Sequence, residues 1–354
     1  METQAFGTTS DVARGGRDRG LRISCIICTY NRVELLRRVF EGLLGQTLPR
    51  TEFEIIVVDD GSTEDVGSLV LHYQKLLPLY CLKQENRGLG AAKNAGVTAS
   101  RAPILLFMDD DDVPAPSLLM EHLRTHESYP QKHIAVLGHT NLHPAIATRP
   151  LMRFVTDVGC YLFSYGRITD GEILDYAWFW GGRSSCKREI LPGPQPFNPL
   201  FRFGCEDIEL GYRLSAHGLR VVYNRDAVTT MLRALSLDEF CRRTETQGRS
   251  NWLFSRLHPA PEIQIWAGIE DAHSRWQRLR LEYNRMIDTA RRLDAMAEAR
   301  VKFGIETDSA FVALLHRAYW DALDAARLKG IVSAAGEYRR TDQEPLSEAL
   351  PAVS

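Results

Sequence analysis

Ile104-Leu105-Leu106-Phe107-Met108 runs directly into Asp109-Asp110-Asp111-Asp112. A short apolar run bounded in this way reads as a strand buried on both faces. The carboxylates then stand at its C-terminal end, the edge at which open α/β sheets bind ligands. Four like charges at one point repel one another unless cations offset them. Oxygen donors alone favour Mg²⁺ or Mn²⁺. Continued strand alternation would put Asp109 and Asp111 on one side and Asp110 and Asp112 on the other, so that two or three could serve one ion.

Outward from this strand, β and helix signals alternate from residue 21 to about 137. Arg22 to Cys28 is a short β-rich run. Asn31-Arg32-Val33-Glu34 has the form of a capping box, ahead of Val33, Leu36, Phe40 and Leu43 at helical spacing. Phe53 to Val58 is a second strand, ending in Asp59-Asp60-Gly61-Ser62. Ser62 with Asp65 offers a cap for a helix to about Leu77. Tyr80 to Gln84 is a third strand, and Asn86-Arg87-Gly88-Leu89-Gly90 turns into a small-residue helix ending near Ala99. A helix opened by Pro116 and a short strand, Ile134 to Leu137, follow. This order predicts βαβ units and a mostly parallel sheet flanked by helices.

From 138 to 205 the pattern is irregular and rich in Gly, Pro and aromatics, as functional regions are. A helix from Glu206 to His217 is closed by Gly218, and Arg220 to Tyr223 is a brief strand. Long helices are expected near 274–300 and 307–328. They read as packing on the core, with a dimer surface or a lid as further uses. The expected organisation is a disordered lead-in (1–20) and an α/β domain (21–255, with halves 21–137 and 138–255). A helical extension (256–336) and a disordered tail (337–354) complete it.

The 354 residues are 44% hydrophobic and 25% charged, with a formal net charge of -2, which fits a soluble globular protein and gives no sign of a nucleic-acid partner. No apolar run approaches the roughly 18–20 residues that span a bilayer. Seven cysteines, an odd number scattered in apolar segments, suit a reducing compartment. The expected location is the cytoplasm, with peripheral membrane contact left open. Cys25 and Cys28 fall on opposite strand faces and read as small buried hydrophobes. His122 and His126 share a helix face and read as solvated or partly packed. Arg242-Arg243 reads as a solvated helix face.

Asp59-Asp60 and Asp109 to Asp112 would meet on one sheet edge. One group can read a base or ribose, and the other can hold a divalent ion on a diphosphate. Arg87, Lys93 and Asn94 add polar groups, and Gly88 and Gly90 permit close backbone approach. These are the parts of a nucleoside-diphosphate site. In Trp178-Phe179-Trp180-Gly181-Gly182-Arg183-Ser184-Ser185, aromatics beside glycines suit either a sugar face or core packing.

The chain resembles the family 2 glycosyltransferases of the GT-A (Rossmann-like) fold, over roughly residues 21–255. The matching segments are Ile26-Ile27-Cys28-Thr29-Tyr30-Asn31-Arg32, Val57-Val58-Asp59-Asp60-Gly61-Ser62, Asn86 to Gly96, Phe107 to Asp112 and Phe203 to Leu210. The resemblance implies metal-dependent, inverting transfer of a sugar from a nucleotide-sugar, UDP-linked, to an acceptor hydroxyl. It implies that Asp60 accepts from the base and that the region of Thr29, Asn31 and Arg32 lines the nucleotide. Asp109-x-Asp111 would be the metal motif for Mn²⁺ or Mg²⁺, with Asp111 the direct ligand and Asp110 near the ribose or the ion's water. Arg87 and Lys93 would face the diphosphate or sugar. Asp207 would be the general base with Glu206 holding the acceptor, and Trp180, Gly181 and Gly182 would border donor sugar and acceptor.

Two features depart from the family. Many members carry a metal-binding His after the acidic helix, where this chain has Ala227-Val228-Thr229-Thr230-Met231-Leu232. Gln247-Gly248-Arg249-Ser250-Asn251-Trp252 fails the Q-x-x-R-W pattern of processive members. The alternatives are a nucleotidyltransferase, whose Gly-rich basic loop is missing after the first strand, and a non-catalytic nucleotide-binding scaffold. The acceptor is left open among glycan, lipid-linked, peptide and small-molecule classes, and a homodimer through the C-terminal helices is a further expectation.

Overall fold

A computed structural model describes residues 4–6 and 20–341. Strand β1 (Gln4–Phe6) is followed by β2 (Ile23–Thr29), α1 (Val33–Leu44), β3 (Phe53–Asp59), α2 (Val66–Tyr73), β4 (Leu79–Lys83), α3 (Leu89–Ala99) and β5 (Ile104–Met108). Next come β6 (Asp112–Pro114), α4 (Leu118–Ser128), β7 (Ile134–Leu142), the one-turn helices α5 (Pro144–Ala147) and α6 (Pro150–Arg153), β8 (Ile173–Leu174) and β9 (Ser184–Lys187). The chain continues through α7 (Glu206–Ser215), β10 (Arg220–Met231), α8 (Leu237–Leu257), α9 (Pro261–Ala267), α10 (Ala272–Leu279), α11 (Tyr283–Phe303) and α12 (Ser309–Thr341). Most of the expected lead-in and tail lies outside the described residues. Within them, Gln4–Phe6 pairs antiparallel with β4 and α12 runs on to Thr341.

One sheet takes the order β1-β4-β3-β2-β5-β9-β7-β10-β6, with β8 paired to β10. Strands β4, β3, β2 and β5 are parallel, and β9 inserts antiparallel between β5 and β7. Register places Thr29 opposite Asp59 and Ile27 opposite Met108. The C-terminal ends of β2, β3 and β5 therefore open at one edge. Period-2 alternation divides the core. Ile23, Cys25, Ile27, Leu106 and Met108 pack under α1, α2 and α4, whereas Ile26, Leu105 and Phe107 face α3 and α7. A third cluster joins Phe154 and Phe240 to Tyr319, Ala322 and Leu323 of α12.

Several local expectations give way to tertiary contacts. The capping box at Asn31–Glu34 does not form: Glu64 Oε2 instead accepts from Val33 N at 2.8 Å. Asp65 alone caps α2, accepting from Ser68 N at 3.0 Å. Strand β10 continues past Tyr223 to Met231, its register shifting between Tyr223 and Val228 where Asn224-Arg225-Asp226 interrupts the apolar pattern. The first long C-terminal helix is broken at Arg280-Leu281-Glu282 into α10 and α11. His122 and His126 are buried, not solvated, and both contact Ser185 Oγ at 2.8 Å. Among the described residues no helix is long and apolar enough to cross a membrane.

Candidate active site

A cleft of about 790 Å³ opens at the C-terminal edge of β2, β3 and β5, closed on the far side by residues 160–164, 178–183 and 202–208 and by α8. Strand β5 ends at Met108 and β6 begins at Asp112, so side-chain alternation stops before the acidic turn. Asp109 and Asp112 consequently share one cation: Arg183 NH2 lies 2.9 Å from Asp109 and 3.3 Å from Asp112. Asp110 faces the other way and accepts from Thr29 Oγ1 at 2.8 Å and Arg32 NH1 at 2.6 Å. Among the described residues, the Asp111 carboxylate has only the Arg32 guanidinium, at 3.7 Å. Burial, then Asp112, Asp110 and Asp109, push the Asp111 carboxyl up to about 8. Burial likewise pushes Asp112 up to about 6 against the pull of Arg183.

Asp60 does not stand free on an open edge. It is 6% exposed and accepts from Gln84 Nε2 at 2.7 Å, Arg87 N at 2.9 Å and Gly88 N at 2.9 Å. The carboxylate thereby shapes the turn into α3. Gly88 is required there, because its φ is +90° and a Cβ would lie 2.6 Å from Arg202 Cα. The Arg87 side chain is exposed and does not line the cleft. Asn31 does not line it either. Its Oδ1 accepts from Thr63 N at 2.8 Å, tying the loops after β2 and β3 together. Thr29, Arg32 and Asp60 do line it.

On the far side, Glu206 and Asp207 open α7. Asp207 Oδ2 accepts from Gly181 N at 2.7 Å and Oδ1 from Ile208 N at 2.8 Å. Each oxygen keeps a second lone pair. Lys93 is committed to Glu206 rather than free for a diphosphate. Its Nζ donates to Glu206 Oε1 at 2.8 Å, and the two residues are 4% and 3% exposed. Burial opposes the Lys93 charge, but Glu206 and Asp207 more than offset it and hold the ammonium above its ordinary pKa.

Gly181 and Gly182 join the two sides. Gly181 N–H holds Asp207, and Gly182 O accepts from Asp109 N at 3.1 Å. A Cβ on Gly181 would fall on Lys93 Nζ, and one on Gly182 would fall inside the Asp109 carboxylate. Trp178 and Trp180 stack at 5.1 Å and line the cleft half-buried, so they serve as wall and core together. Trp266 of α9 also lines it. Sequence reasoning assigned nothing to Arg183, Trp266 or Arg243. Arg243 belonged to a basic pair that read as solvated, yet it turns into the cleft over the Phe203 ring at 4.9 Å.

Among the described residues, no three His, Cys, Asp or Glu side chains gather as a metal cage. The acidic turn nevertheless fits a divalent cation. Its donors are hard carboxylate oxygens, and Asp111, raised by burial and its three neighbours, is short of positive charge.

Residues 24–141 match the family model described as Glycosyl transferase family 2. A validoxylamine A glucosyltransferase of Streptomyces hygroscopicus subsp. jinggangensis (strain 5008) is 31% identical over 228 residues, covering 58% of this chain and 54% of the relative. The chain spans about half the length of the curated relatives it matches. Among solved structures, a mannosyltransferase from Pyrobaculum calidifontis in complex with GDP-Man and Mn²⁺ aligns with a TM-score of 0.58 at 19% identity, over 89% of this chain and 87% of that one. S. aureus TarS 1-349 in complex with UDP aligns with a TM-score of 0.54 at 17% identity, over 91% and 92%. At such identities the likeness is one of fold, the GT-A arrangement of a central sheet between helices.

Proposed function

We propose that this chain, which carries a glycosyl transferase family 2 domain on a GT-A fold, transfers a sugar from a UDP-sugar to an acceptor hydroxyl with inversion. Asp207 is the general base and a divalent cation, Mn²⁺ or Mg²⁺, is required. The observation that carries this is the Gly181-Gly182 bridge: two adjacent glycines link the carboxylate of Asp207, through Gly181 N–H, to the acidic turn at Asp109, through Gly182 C=O. A base and a metal-side acid line one cleft, joined by two residues without side chains, which leaves room for a sugar. The ligands named for the solved structures, UDP for TarS and GDP-Man for the mannosyltransferase, support a nucleotide-sugar donor.

Asp111, with Asp109, would hold the cation, which when bound offsets charge on the diphosphate leaving group. Thr29, Arg32 and Asp60 border the nucleoside. An acceptor hydroxyl placed against a free lone pair of Asp207 gives up its proton as its oxygen attacks the anomeric carbon. Attack from the side opposite the diphosphate inverts that centre. Asp207 stands in the first turn of α7, where a carboxylate complements the helix dipole, and the Lys93–Glu206 pair lies beside it. The proposal extends to a homodimer, supported by the exposed Phe303, Leu314 and Trp320 of the C-terminal helices and Ile305 of the loop between α11 and α12.

Turnover of a labelled UDP-sugar panel with Mn²⁺, by wild type and by Asp111→Ala, tests the function. Turnover by wild type alone is expected. Nucleotide binding without hydrolysis or transfer in wild type would favour the scaffold reading.

A further inference from the structure

Arg243 lies on α8 beside the exposed Arg242. Its guanidinium rests over the Phe203 ring at 4.9 Å, and its side chain lines the cleft. The other cleft cations already have partners. Arg32 binds Asp110, Arg183 binds Asp109 and Asp112, and Lys93 binds Glu206. Arg233 meets Glu239 at 3.4 Å, and Arg202 bonds to Asn86. Among the described residues lining the cleft, Arg243 is the cation with no hydrogen bond or ion pair to the protein.

Withdrawing a guanidinium from water without a partner is costly. Burial disfavours the Arg243 charge, while Asp109 and Asp111 favour it from a distance, Arg183 opposes it and Glu206 supports it. Arg243 and the acidic turn thus line the same cleft, near enough for Asp109 and Asp111 to act on the guanidinium. Its helix is rigidly backed, because α12 crosses so closely that a Cβ on Gly248 would strike Arg327 O and one on Gly330 would strike Glu245 O. An anion between Arg243 and a cation on Asp109 and Asp111 would complete both sides. A planar five-donor fork suits phosphate oxygens, which it binds in pairs.

We propose that Arg243 binds the donor's diphosphate from the side opposite Asp109 and Asp111 and takes up charge on the leaving group. Arg243 has this role only if the chain transfers a sugar from a nucleoside-diphosphate donor, as proposed above. In that step the acceptor oxygen bonds to the anomeric carbon and the bond from that carbon to the phosphate oxygen breaks. The electron pair passes to the diphosphate, and the acceptor proton passes to Asp207. Arg243 stays protonated and supplies hydrogen bonds that strengthen as the diphosphate gains charge.

Calorimetric titration with Mn²⁺ and a panel of nucleoside mono- and diphosphates tests this. With the best-binding base, Arg243→Met should lower diphosphate affinity about tenfold or more, the scale of a charge-assisted hydrogen bond. Monophosphate affinity should stay within about twofold, and Arg243→Lys should recover part of the loss. Arg243→Gln, of similar shape, serves if the Met variant does not fold by circular dichroism. Equal diphosphate affinity in wild type and variant overturns the Arg243 assignment alone. Equal losses for mono- and diphosphate also overturn it, since Arg243 would then act through the fold. Wild type that binds no nucleotide overturns the glycosyl-transfer reading and the Arg243 role with it.

Discussion

Asp207→Asn looks conservative, but both oxygens of Asp207 are acceptors for backbone donors, Gly181 N–H at 2.7 Å and Ile208 N–H at 2.8 Å. An amide offers one oxygen and one NH₂ group. Whichever way it flips, one backbone N–H faces another donor. A buried donor left unpaired costs about 1–3 kcal/mol, and the cleft here admits water, so we expect the lower end. For a chain of this size that lowers the melting temperature by about 1–2 °C. If Ile208 keeps the oxygen, Gly181 is released, and Gly182 follows it with its hold on Asp109. The apparent Mn²⁺ requirement should then rise as well. Turnover should fall by about 10²–10⁴-fold, because the amide takes no proton. Scanning fluorimetry, UDP titration and a transfer assay at several Mn²⁺ concentrations read these effects separately. NMR of the product should show an inverted anomeric centre. Turnover within about threefold of wild type would refute the base role. An unchanged melting temperature would refute the two-acceptor account.

Asp60→Ala should weaken UDP binding and also destabilise the fold by about 2 kcal/mol, since it orphans the donors of Gln84, Arg87 and Gly88; urea unfolding checks this, and an unchanged midpoint refutes it. Gly182→Ala should cost about 1–3 kcal/mol by overpacking, and because its Cβ falls on Asp109 it should raise the Mn²⁺ needed for half-maximal activity; a normal metal titration counts against it. Lys93→Met strands the Glu206 carboxylate in the interior, a loss of about 3–5 kcal/mol, of which Lys93→Met/Glu206→Gln should recover most; thermal unfolding of both variants compares them. Burial lowers His122 to about 3, so the native state keeps it neutral while the unfolded chain takes up a proton below about 6.5. Its stability contribution is therefore full above pH 6.5 and is lost as pH falls toward 3. That amounts to about 2 kcal/mol by pH 5, and His122→Gln should flatten the pH 5–7.5 slope by that amount in urea unfolding.

What was legible in the sequence was what local pattern controls. The alternation of Ile23, Cys25 and Ile27 against Ile26 set the two faces of β2, and the parallel order of β2 to β5 put Thr29, Asp60 and Asp109 on one edge. What was not legible depends on partners distant in the chain. Glu64 caps α1 where the neighbouring Glu34 was expected, and Ser185 of β9 buries His122 and His126. The irregular stretch 138–205 hid that strand, because it inserts antiparallel into a sheet whose other signals were parallel. Arg243 was hidden for a different reason. Its phase on α8 separates it from Arg242, but only the position of α12 decides which face of α8 turns inward.

The charges at the acidic turn explain why these hidden residues matter. Asp109 to Asp112 bring four carboxyls together, and Arg32 and Arg183 meet them with two cations. The deficit falls on Asp111, whose carboxyl is pushed up to about 8 by burial and its neighbours. A third arginine in direct contact would reduce it and leave less attraction for an ion. Arg243 is instead held off by its seat on Phe203, close enough to be felt and too far to pair. The turn thus keeps a carboxyl short of positive charge, and α8 an arginine with no counter-ion among the described residues, both lining the same cleft. A divalent cation alone would relieve the first and be repelled by the second. A diphosphate alone would do the reverse. If metal and diphosphate bind here as proposed, the two together would satisfy both, and each would favour the binding of the other.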